Sequence, residues 1–370
     1  MRVRIAFYAP LKPPDHPVPS GDRRVAQLFL DALRLAGHDP FLASRLRSFD
    51  GSGEPVRQAR LAALGRRTAE RLLRRWHETP GAAPGLWFTY HLYYKAPDWL
   101  GPAVSAALGI PYVVAEASHA AKREAGPWAI GHRAVEQALH RADAVIGLNS
   151  ADRVGVMPLL RQPQRWFALP PFLDAHRYPA RRPRPGDPLR LVTVAMTRHG
   201  DKLASYRLLG AALARLGDLA WSLDIVGDGP ARDEVERALA PLGSRVAYRG
   251  ALGEAAVAEA LAAANLYLWP AINEAFGMAL LEAQASGLPV VAGNTGGVGE
   301  VIASGVTGLL VPPGDADAFA AALRRLILDP EARAAMAVAA QAKARRDHDL
   351  PVAAGRLAGL IDGLDRMRAA

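Results

Sequence analysis

The sequence predicts an α/β protein built from two doubly wound parallel sheets, and three observations carry that expectation. Short apolar runs alternate with stretches of helical period along the whole chain. A stretch dense in proline and arginine, residues 171–188, interrupts the alternation near the middle, and the alternation restarts after it. The chain has 370 residues, half of them hydrophobic, which is enough for two cores of ordinary size. Domains are therefore expected at 1–175 and 186–350, with 351–370 a closing helix that packs back toward the first domain.

In the first half, Val3–Ala9 reads as a strand. Its apolar run is too short for a secretory signal core, and Pro10 stops it. A proline-rich loop ends in Ser20-Gly21-Asp22-Arg23. The spacing of Val25, Leu28, Phe29, Ala32, Leu33 and Leu35 then predicts a helix over Arg24–Ala36. Gly37 ends it, and Pro40–Ser44 is the second strand. Leu86–Tyr90 is an aromatic strand that leads into the loop His91-Leu-Tyr-Tyr-Lys-Ala-Pro97. Pro111–Ala115 is the next strand, followed by Glu116-Ala-Ser-His119-Ala-Ala-Lys122-Arg123. Both loops follow a strand, where open parallel sheets bind ligands. Helices over 100–108, 127–141 and 151–160 and strands over 144–148 and 167–169 complete this half.

The second half begins with a strand at Leu189–Ala195. Further strands fall at Ser222–Val226, Val246–Tyr248, Asn265–Trp269, Val290–Ala292 and Gly308–Val311, with helices between them and two more over 315–328 and 331–345. The final segment, Pro351–Met367, is amphipathic.

Net charge is +9, and the first half holds all of it. Residues 1–180 contain 24 Lys and Arg against 15 Asp and Glu, whereas residues 181–370 contain 21 of each. Such asymmetry suits an anionic partner for the first half, or equally an arginine-rich solvated face. Much of the excess lies in 55–78, which has seven arginines. On a helical wheel Arg60, Arg67, Arg71 and Arg74 share one side, and Leu61, Leu72 and Trp76 another. A basic amphipathic helix through 57–76 suits an anionic membrane surface. The alternative is an ordinary surface helix whose arginine stems cover apolar area. There is no cysteine, which excludes disulfides, thiol chemistry and Cys-ligated metal and suits the cytosol. No run reaches the roughly 18 apolar residues of a spanning helix, so the chain is expected in the cytoplasm, with or without membrane association.

The most informative stretch is Pro270–Gly287, Pro-Ala-Ile-Asn-Glu-Ala-Phe-Gly-Met-Ala-Leu-Leu-Glu-Ala-Gln-Ala-Ser-Gly. A buried strand precedes it, Leu280, Leu281 and Ala285 give it a helical side, and Gly287 with Pro289 ends the helix. Glu274 lies in the loop and Glu282 eight residues on, two turns into the helix. Free N–H groups near Ala275–Met278 would face the strand end and bind an anion there. A phosphate on those amides with sugar hydroxyls on the glutamates means a nucleotide-sugar. Other strand-end features share this half. Arg198 and Lys202, four apart at a strand–helix junction, suit a pyrophosphate. Gly227-Asp228-Gly229-Pro230 and Gly296-Gly297 are tight turns after strands. Each alone is ordinary; together they point to one crevice.

The run Asn273–Ala292 resembles the E-x7-E signature of retaining glycosyltransferases of family 4, which have the GT-B fold. Val226-Gly-Asp-Gly-Pro230, Gly296-Gly-Val-Gly-Glu300, Gly305-Val-Thr-Gly-Leu-Leu-Val-Pro-Pro-Gly314 and Ala142-Asp-Ala-Val-Ile146 with Ser150 extend the likeness over nearly the whole chain. The resemblance implies two Rossmann-like domains facing across a cleft, the second binding a nucleoside-diphosphate sugar and the first an acceptor. Glu274 would hydrogen-bond the donor sugar with the amides of Phe276, Gly277 and Met278, and Glu282 would hold the ribose. Arg198 and Lys202 would hold the diphosphate, Gly227 and Gly229 would approach the nucleotide, and Arg249–Leu252 would flank the base. Ser20-Gly21 matches the family's glycine loop, and His119 its histidine near the sugar. Two departures stand out. Arg198 and Lys202 are four apart where the family has five, and the glycine loop reads Ser-Gly-Asp where the family has two glycines.

The expected reaction moves a sugar to a hydroxyl of a glycan or glycolipid acceptor, with retention. No metal and no further cofactor are expected, since cations and a helix N-terminus handle the charge. His91, Tyr93, Tyr94, Lys95, Lys122 and Arg123 are the candidates for the acceptor side. Two rivals stand beside this. One is a sugar-nucleotide epimerase of the same fold, whose own histidine and carboxylate pattern is not evident. The other is a basic nucleic-acid binder, but the chain has no recognisable module of that kind, so no nucleic-acid partner is expected.

Overall fold

A computed structural model describes residues 2–18, 20–180 and 188–369. Arg181–Pro185, the centre of the expected linker, lie outside the described residues. The chain forms two compact units, Met1–Leu169 with Leu350–Ala370, and Pro170–Asp349. The segment Pro170–Ala175 goes with the second unit and is laced to that unit's other end. Leu173 donates its N–H to the His348 carbonyl (2.9 Å), and Ala175 donates to Asp349 Oδ1 (3.0 Å). His348 Nδ1 lies 2.7 Å from the Pro171 carbonyl.

The first unit runs β1 (Arg4–Tyr8), α1 (Gly21–Leu35), β2 (Asp39–Ser44), α2 (Pro55–Glu78), β3 (Leu86–Leu92), α3 (Gly101–Leu108), β4 (Tyr112–Ala117), α4 (Ala129–Arg141), β5 (Ala144–Gly147), α5 (Ala151–Val156) and β6 (Trp166–Ala168). The second runs β7 (Leu189–Val194), α6 (Asp201–Ala214), β8 (Trp221–Val226), α7 (Arg232–Leu239), β9 (Val246–Gly250), α8 (Glu254–Ala262), β10 (Leu266–Trp269), α9 (Met278–Ala285), β11 (Val290–Gly293), α10 (Val298–Val301), β12 (Gly308–Val311), α11 (Ala316–Leu328) and α12 (Pro330–Asp347). A last helix, α13 (Leu350–Ala369), belongs to the first unit and packs on α1.

Each unit holds a six-stranded sheet, ordered β2-β1-β3-β4-β5-β6 and β12-β11-β10-β7-β8-β9, with every pairing parallel. The strands are apolar nearly throughout because helices cover both faces. Trp87, Tyr90, Tyr112 and Tyr267 are wholly buried. The strand order reverses between β1 and β3 in one sheet and between β7 and β10 in the other. In open α/β sheets ligands bind beyond the carboxyl ends of the strands at such a reversal. Two GT-B-type Rossmann-like units are thus present, as the sequence implies.

Local chemistry moves two expected boundaries. Helix α1 starts at Gly21, before Arg24, because Ser20 caps it; its Oγ accepts from the Arg23 N–H at 3.2 Å. Strand β3 continues through His91 to Leu92, so His91 lies in the strand end and not in a loop. His91 and Glu116 there have φ of 64° and 56°, left-handed values uncommon outside glycine.

Helix α2 buries Gln58, Ala62, Gly65, Ala69 and Trp76, a stripe of mostly small residues. It lets the helix approach closely: a Cβ on Gly65 would stand 2.3 Å from Trp99 Cβ. Gln58 donates to the Pro127 carbonyl (2.6 Å) and accepts from the Gly131 N–H (3.1 Å), tying α2 to the start of α4. The packed face therefore includes Trp76 as expected, with Leu61 and Leu72 at its margins, and all seven arginines are exposed. Among the described residues, no helix is long and apolar enough to cross a membrane.

The turn from β3 into α3 rests on buried Asp98. Its Oδ1 accepts from the Leu100 and Gly101 N–H groups (2.8 Å each), and its Oδ2 accepts from the Thr89 and Tyr112 hydroxyls (2.5 and 2.9 Å). Asp98→Ala would leave two amides and two hydroxyls without acceptors. It is expected to cost about 3 kcal/mol, read as a fall in the urea midpoint, with Asp98→Asn losing much less. An Asp98→Ala midpoint equal to wild type would remove this anchor from the account.

Candidate active site

In the second unit, the site is built where the strand order reverses. Lys202 lies in the first turn of α6, which follows β7, and Glu274 lies in the loop after β10. The Lys202 Nζ donates to Glu274 Oε2 at 2.5 Å. The Trp269 indole donates to the same oxygen at 3.2 Å, and Lys202 Nζ stands 4.9 Å from the centre of the Trp269 ring. Tyr206 packs edge-on against Trp269 (5.2 Å) and donates its hydroxyl to the Ala195 carbonyl (2.8 Å). Glu274 is thus held by a cation, an indole donor and an aromatic wall. Asn273 Nδ2 adds a bond to Asp201 Oδ2 at 2.9 Å.

The loop from Glu274 to α9 needs glycine at two places. Gly277 caps α9 with φ 73°, and a Cβ there would meet Leu280 at 2.6 Å. Gly296 has φ 53°, and a Cβ would stand 2.0 Å from the Glu274 carbonyl oxygen. Gly297 donates to the Ala275 carbonyl at 2.6 Å. The loop after β11 therefore lies directly against the Glu274 backbone. The N–H groups of Phe276, Gly277 and Met278 meet no acceptor among the described residues. They stand at the N-terminus of α9, a geometry suited to an anion. Glu282 is half-buried one turn further into α9. The buried Tyr267 phenol, pushed well above its usual pKa by burial, feels both Glu274 and Glu282.

The remaining residues expected on the donor side ring the same sheet end. Gly227 donates its N–H to the Gly250 carbonyl at 2.8 Å, and Thr197 donates to the Asp228 carbonyl at 3.2 Å, so the loops after β7, β8 and β9 are stitched together. Gly229 stands on the Thr197 carbonyl side of this junction. Arg198 is exposed and makes no side-chain bond among the described residues. Arg249 is committed to Asp224, at 2.8 Å, and Leu252 is partly exposed beyond β9.

The first unit repeats the plan at its own reversal. Asp22, in the first turn of α1 after β1, meets His91 at the end of β3; Oδ1 and Nδ1 are 3.0 Å apart. Glu116 at the end of β4 approaches the same nitrogen at 4.0 Å. Burial works to lower the His91 pKa. The Glu116 charge and the Asp22 carboxylate outweigh it and push it up to about 9. Burial raises Glu116, opposed by His91. Ser20 spends its hydroxyl as the cap, while Gly21 faces open space.

Beside this triad runs an aromatic shelf. His91 contacts Tyr93 (5.0 Å), Tyr93 contacts Tyr94 (5.7 Å), and Tyr94 contacts Trp128 (5.6 Å). Lys95 and Arg123 lie over the Trp128 ring at 5.0 and 5.4 Å and over Tyr94 at 5.8 and 5.2 Å. Lys122 is exposed next to Arg123. The sequence reading brought these residues to one region but missed Trp128, on which the two cations converge, and Asp22, which neutralises His91. The Ser-Gly-Asp run at a helix start was the available signal for Asp22. His119, in the loop after β4, has its Nε2 3.3 Å from Glu136.

The raised His91 pKa has a definite sign. The folded value, about 9, exceeds the unfolded value of about 6.5. The stabilisation is complete below about pH 6.5 and is lost as pH rises through about 9. Wild type should lose about 1–3 kcal/mol across that window, and His91→Gln should show a flatter profile in denaturation midpoints. Parallel profiles would mean that His91 is not charged in the fold.

Residues 190–329 match the family model described as glycosyl transferases group 1. A D-inositol 3-phosphate glycosyltransferase of Frankia alni is 30% identical over 298 residues, which cover 71% of each chain. Sulfoquinovosyl transferase SQD2 of Arabidopsis thaliana is 31% identical over 159 residues, 42% of this chain. The matched region spans 30% of that relative's length and 36% of a kanosaminyltransferase of Streptomyces kanamyceticus. Among solved structures, sucrose-phosphate synthase of Thermosynechococcus elongatus superposes with a TM-score of 0.74 at 22% identity, covering 99% of this chain and 100% of that one. Anabaena HepE, solved in complex with UDP, gives 0.75 at 18% identity, covering 98% and 100%. With two parallel-sheet units of GT-B type and a relative matched over most of both lengths, this chain belongs to the group 1 glycosyltransferases.

Proposed function

We propose that the chain is a retaining glycosyltransferase. It takes a sugar from a nucleoside-diphosphate sugar held on the second unit and delivers it to a hydroxyl of a glycan or glycolipid held on the first. The observation that carries this is Glu274, fixed by Lys202 and Trp269 beside the open N–H groups of Phe276, Gly277 and Met278. An oriented carboxylate next to unpaired donors suits sugar hydroxyls next to a phosphate. Anabaena HepE has been solved in complex with UDP and with UDP-glucose, which supports a donor of this class.

In this reading Glu274 accepts from donor-sugar hydroxyls and Glu282 from the ribose. Arg198 and Lys202 face the diphosphate. The bond from the anomeric carbon to the phosphate oxygen breaks, and the diphosphate keeps the electron pair. The acceptor hydroxyl bonds to the same face of that carbon and passes its proton to the departing phosphate oxygen. Arg198, Lys202 and the α9 N-terminus stabilise the charge that grows on the leaving group, with no metal on the diphosphate. Gly227 and Gly229 admit the nucleotide to the backbone, with Leu252 and the Arg249 stem beside the base. The aromatic shelf of Tyr93, Tyr94 and Trp128 offers stacking faces for an acceptor sugar, and Lys95, Lys122 and Arg123 offer it positive charge.

A cytoplasmic enzyme with a lipid-linked acceptor would meet an anionic membrane. Helix α2 would then bind through charge alone, since its apolar stripe is buried in the domain. Flotation with phosphatidylglycerol vesicles, and not with phosphatidylcholine alone, is the expected result. Replacing Arg60, Arg67, Arg71 and Arg74 with Gln should abolish it, and added salt should weaken it. Equal flotation of the variant would remove α2 from this role.

For the reaction itself, Glu274→Gln and Lys202→Ala should each lower kcat on the order of 100-fold or more. Both should keep the wild-type fold, read as an unchanged far-UV spectrum. NMR of the first product formed should show the donor's anomeric configuration. Near-wild-type turnover in both variants would sink the site assignment, and an inverted product would sink retention. Conversion of the donor sugar to its epimer without any acceptor would favour an epimerase.

A further inference from the structure

Beyond the end of β4, the first unit holds two histidines and a glutamate around one point. Helix α4 presents His132 and Glu136 one turn apart, and His119 comes from the loop after β4. His119 Nε2 lies 3.3 Å from Glu136 Oε1, and His132 Nδ1 lies 3.8 Å from Glu136 Oε2. One ligand atom from each of the three lies within 4.8 Å of the others. Metal–ligand bonds of about 2.0–2.1 Å in a tetrahedron place the ligand atoms about 3.3–3.4 Å apart. The His119–Glu136 edge, at 3.3 Å, already has that spacing, while His132 Nδ1 stands 3.8 Å from the other carboxylate oxygen.

A second, independent observation concerns His132. It is 1% exposed, and neither of its ring nitrogens has a hydrogen-bond partner among the described residues. An imidazole buried without partners is destabilising, and a buried polar group left unsatisfied in a native fold calls for a water or an ion. The His119 ring lies over it, with centroids 4.6 Å apart, so both imidazoles converge on the carboxylate. The His119 loop is also held in place. Its carbonyl oxygen lies 2.3 Å from where a Cβ on Gly155 would stand, so α5 packs against it with only a glycine between.

We propose that His119, His132 and Glu136 bind one zinc-class divalent ion, with its fourth position open to water or another small ligand. Two imidazoles and one carboxylate suit Zn²⁺ or Co²⁺. Mg²⁺ and Ca²⁺ prefer sites made of oxygen ligands alone. The ion pins the 118–120 loop to α4. All three ligands lie in the first unit, and the site stands independently of the donor reading.

The test uses the untagged full-length chain, freed of metal with a chelator and without any sugar substrate. Titration with Co²⁺ should give one saturable equivalent with the visible bands of a four-coordinate N/O site. Zn²⁺ should displace the Co²⁺ and raise the melting temperature, and excess Mg²⁺ should do neither. His132→Gln and His119→Gln should weaken binding on the order of 100-fold, and Glu136→Gln should weaken it clearly. Glu136 is partly exposed, so its variant reports even if His132→Gln fails to fold. No saturable equivalent in wild type, or binding unchanged by Glu136→Gln, would overturn the proposal. In that case ordered water satisfies His132.

Discussion

On the parallel sheet of the second unit, the charge of Glu274 is balanced by Lys202 across the gap between β7 and β10. The rest of that face depends on this contact. The loops leaving these two strands turn away from each other because the strand order reverses there. Without a bond between them, the gap would present a mobile lysine and a mobile loop. The pair is half-buried and charge-assisted, and the Trp269 indole fixes the carboxylate from a third direction. The glycines then become intelligible. Gly296 must lack a Cβ because the Glu274 carbonyl occupies that space. Gly277 must take a left-handed φ so that α9 can begin directly after the loop, with its first N–H groups beside the carboxylate.

The first unit reaches the same arrangement with different chemistry. Its reversal lies between β1 and β3, and Asp22 and His91 bridge it. Here the cation is an imidazolium that two carboxylates sustain. His91 and Glu116 both accept left-handed backbone to bring it about. Strain of this kind persists where the surroundings over-determine it, most often at functional sites. At this strand end the His91 charge is matched by the carboxylates of Asp22 and Glu116. The cations stand outside it, on the aromatic shelf and along α2.

Packing decides what the arginine helix can do. Its apolar stripe is narrow and made of small residues because Trp99 and α4 press close against it. A helix so used has no free apolar face to insert into a bilayer. What it offers outward is charge, whose reach is short and sensitive to salt.

Much of this was legible in the sequence. Alternating apolar runs gave both sheets, since a strand covered on both faces can be little else but apolar. Glu274, Glu282, Lys202 and the glycine turns could be singled out because loop chemistry at strand ends is local: a turn residue, a helix start and a charge within a few positions. Other features could not be read. Trp128 stands among the first unit's cations only because α4 begins under that loop, and His132 meets His119 only through the β4–α4 crossover. Asp22 and His91 are 69 residues apart, and Lys202 and Glu274 are 72 apart. The sequence by itself determined the elements, the two-sheet class and which residues lie at strand ends. Only the tertiary structure decided which strand ends are neighbours and which charges neutralise one another. Strand order is set by crossover packing over long separations, and no local pattern encodes it.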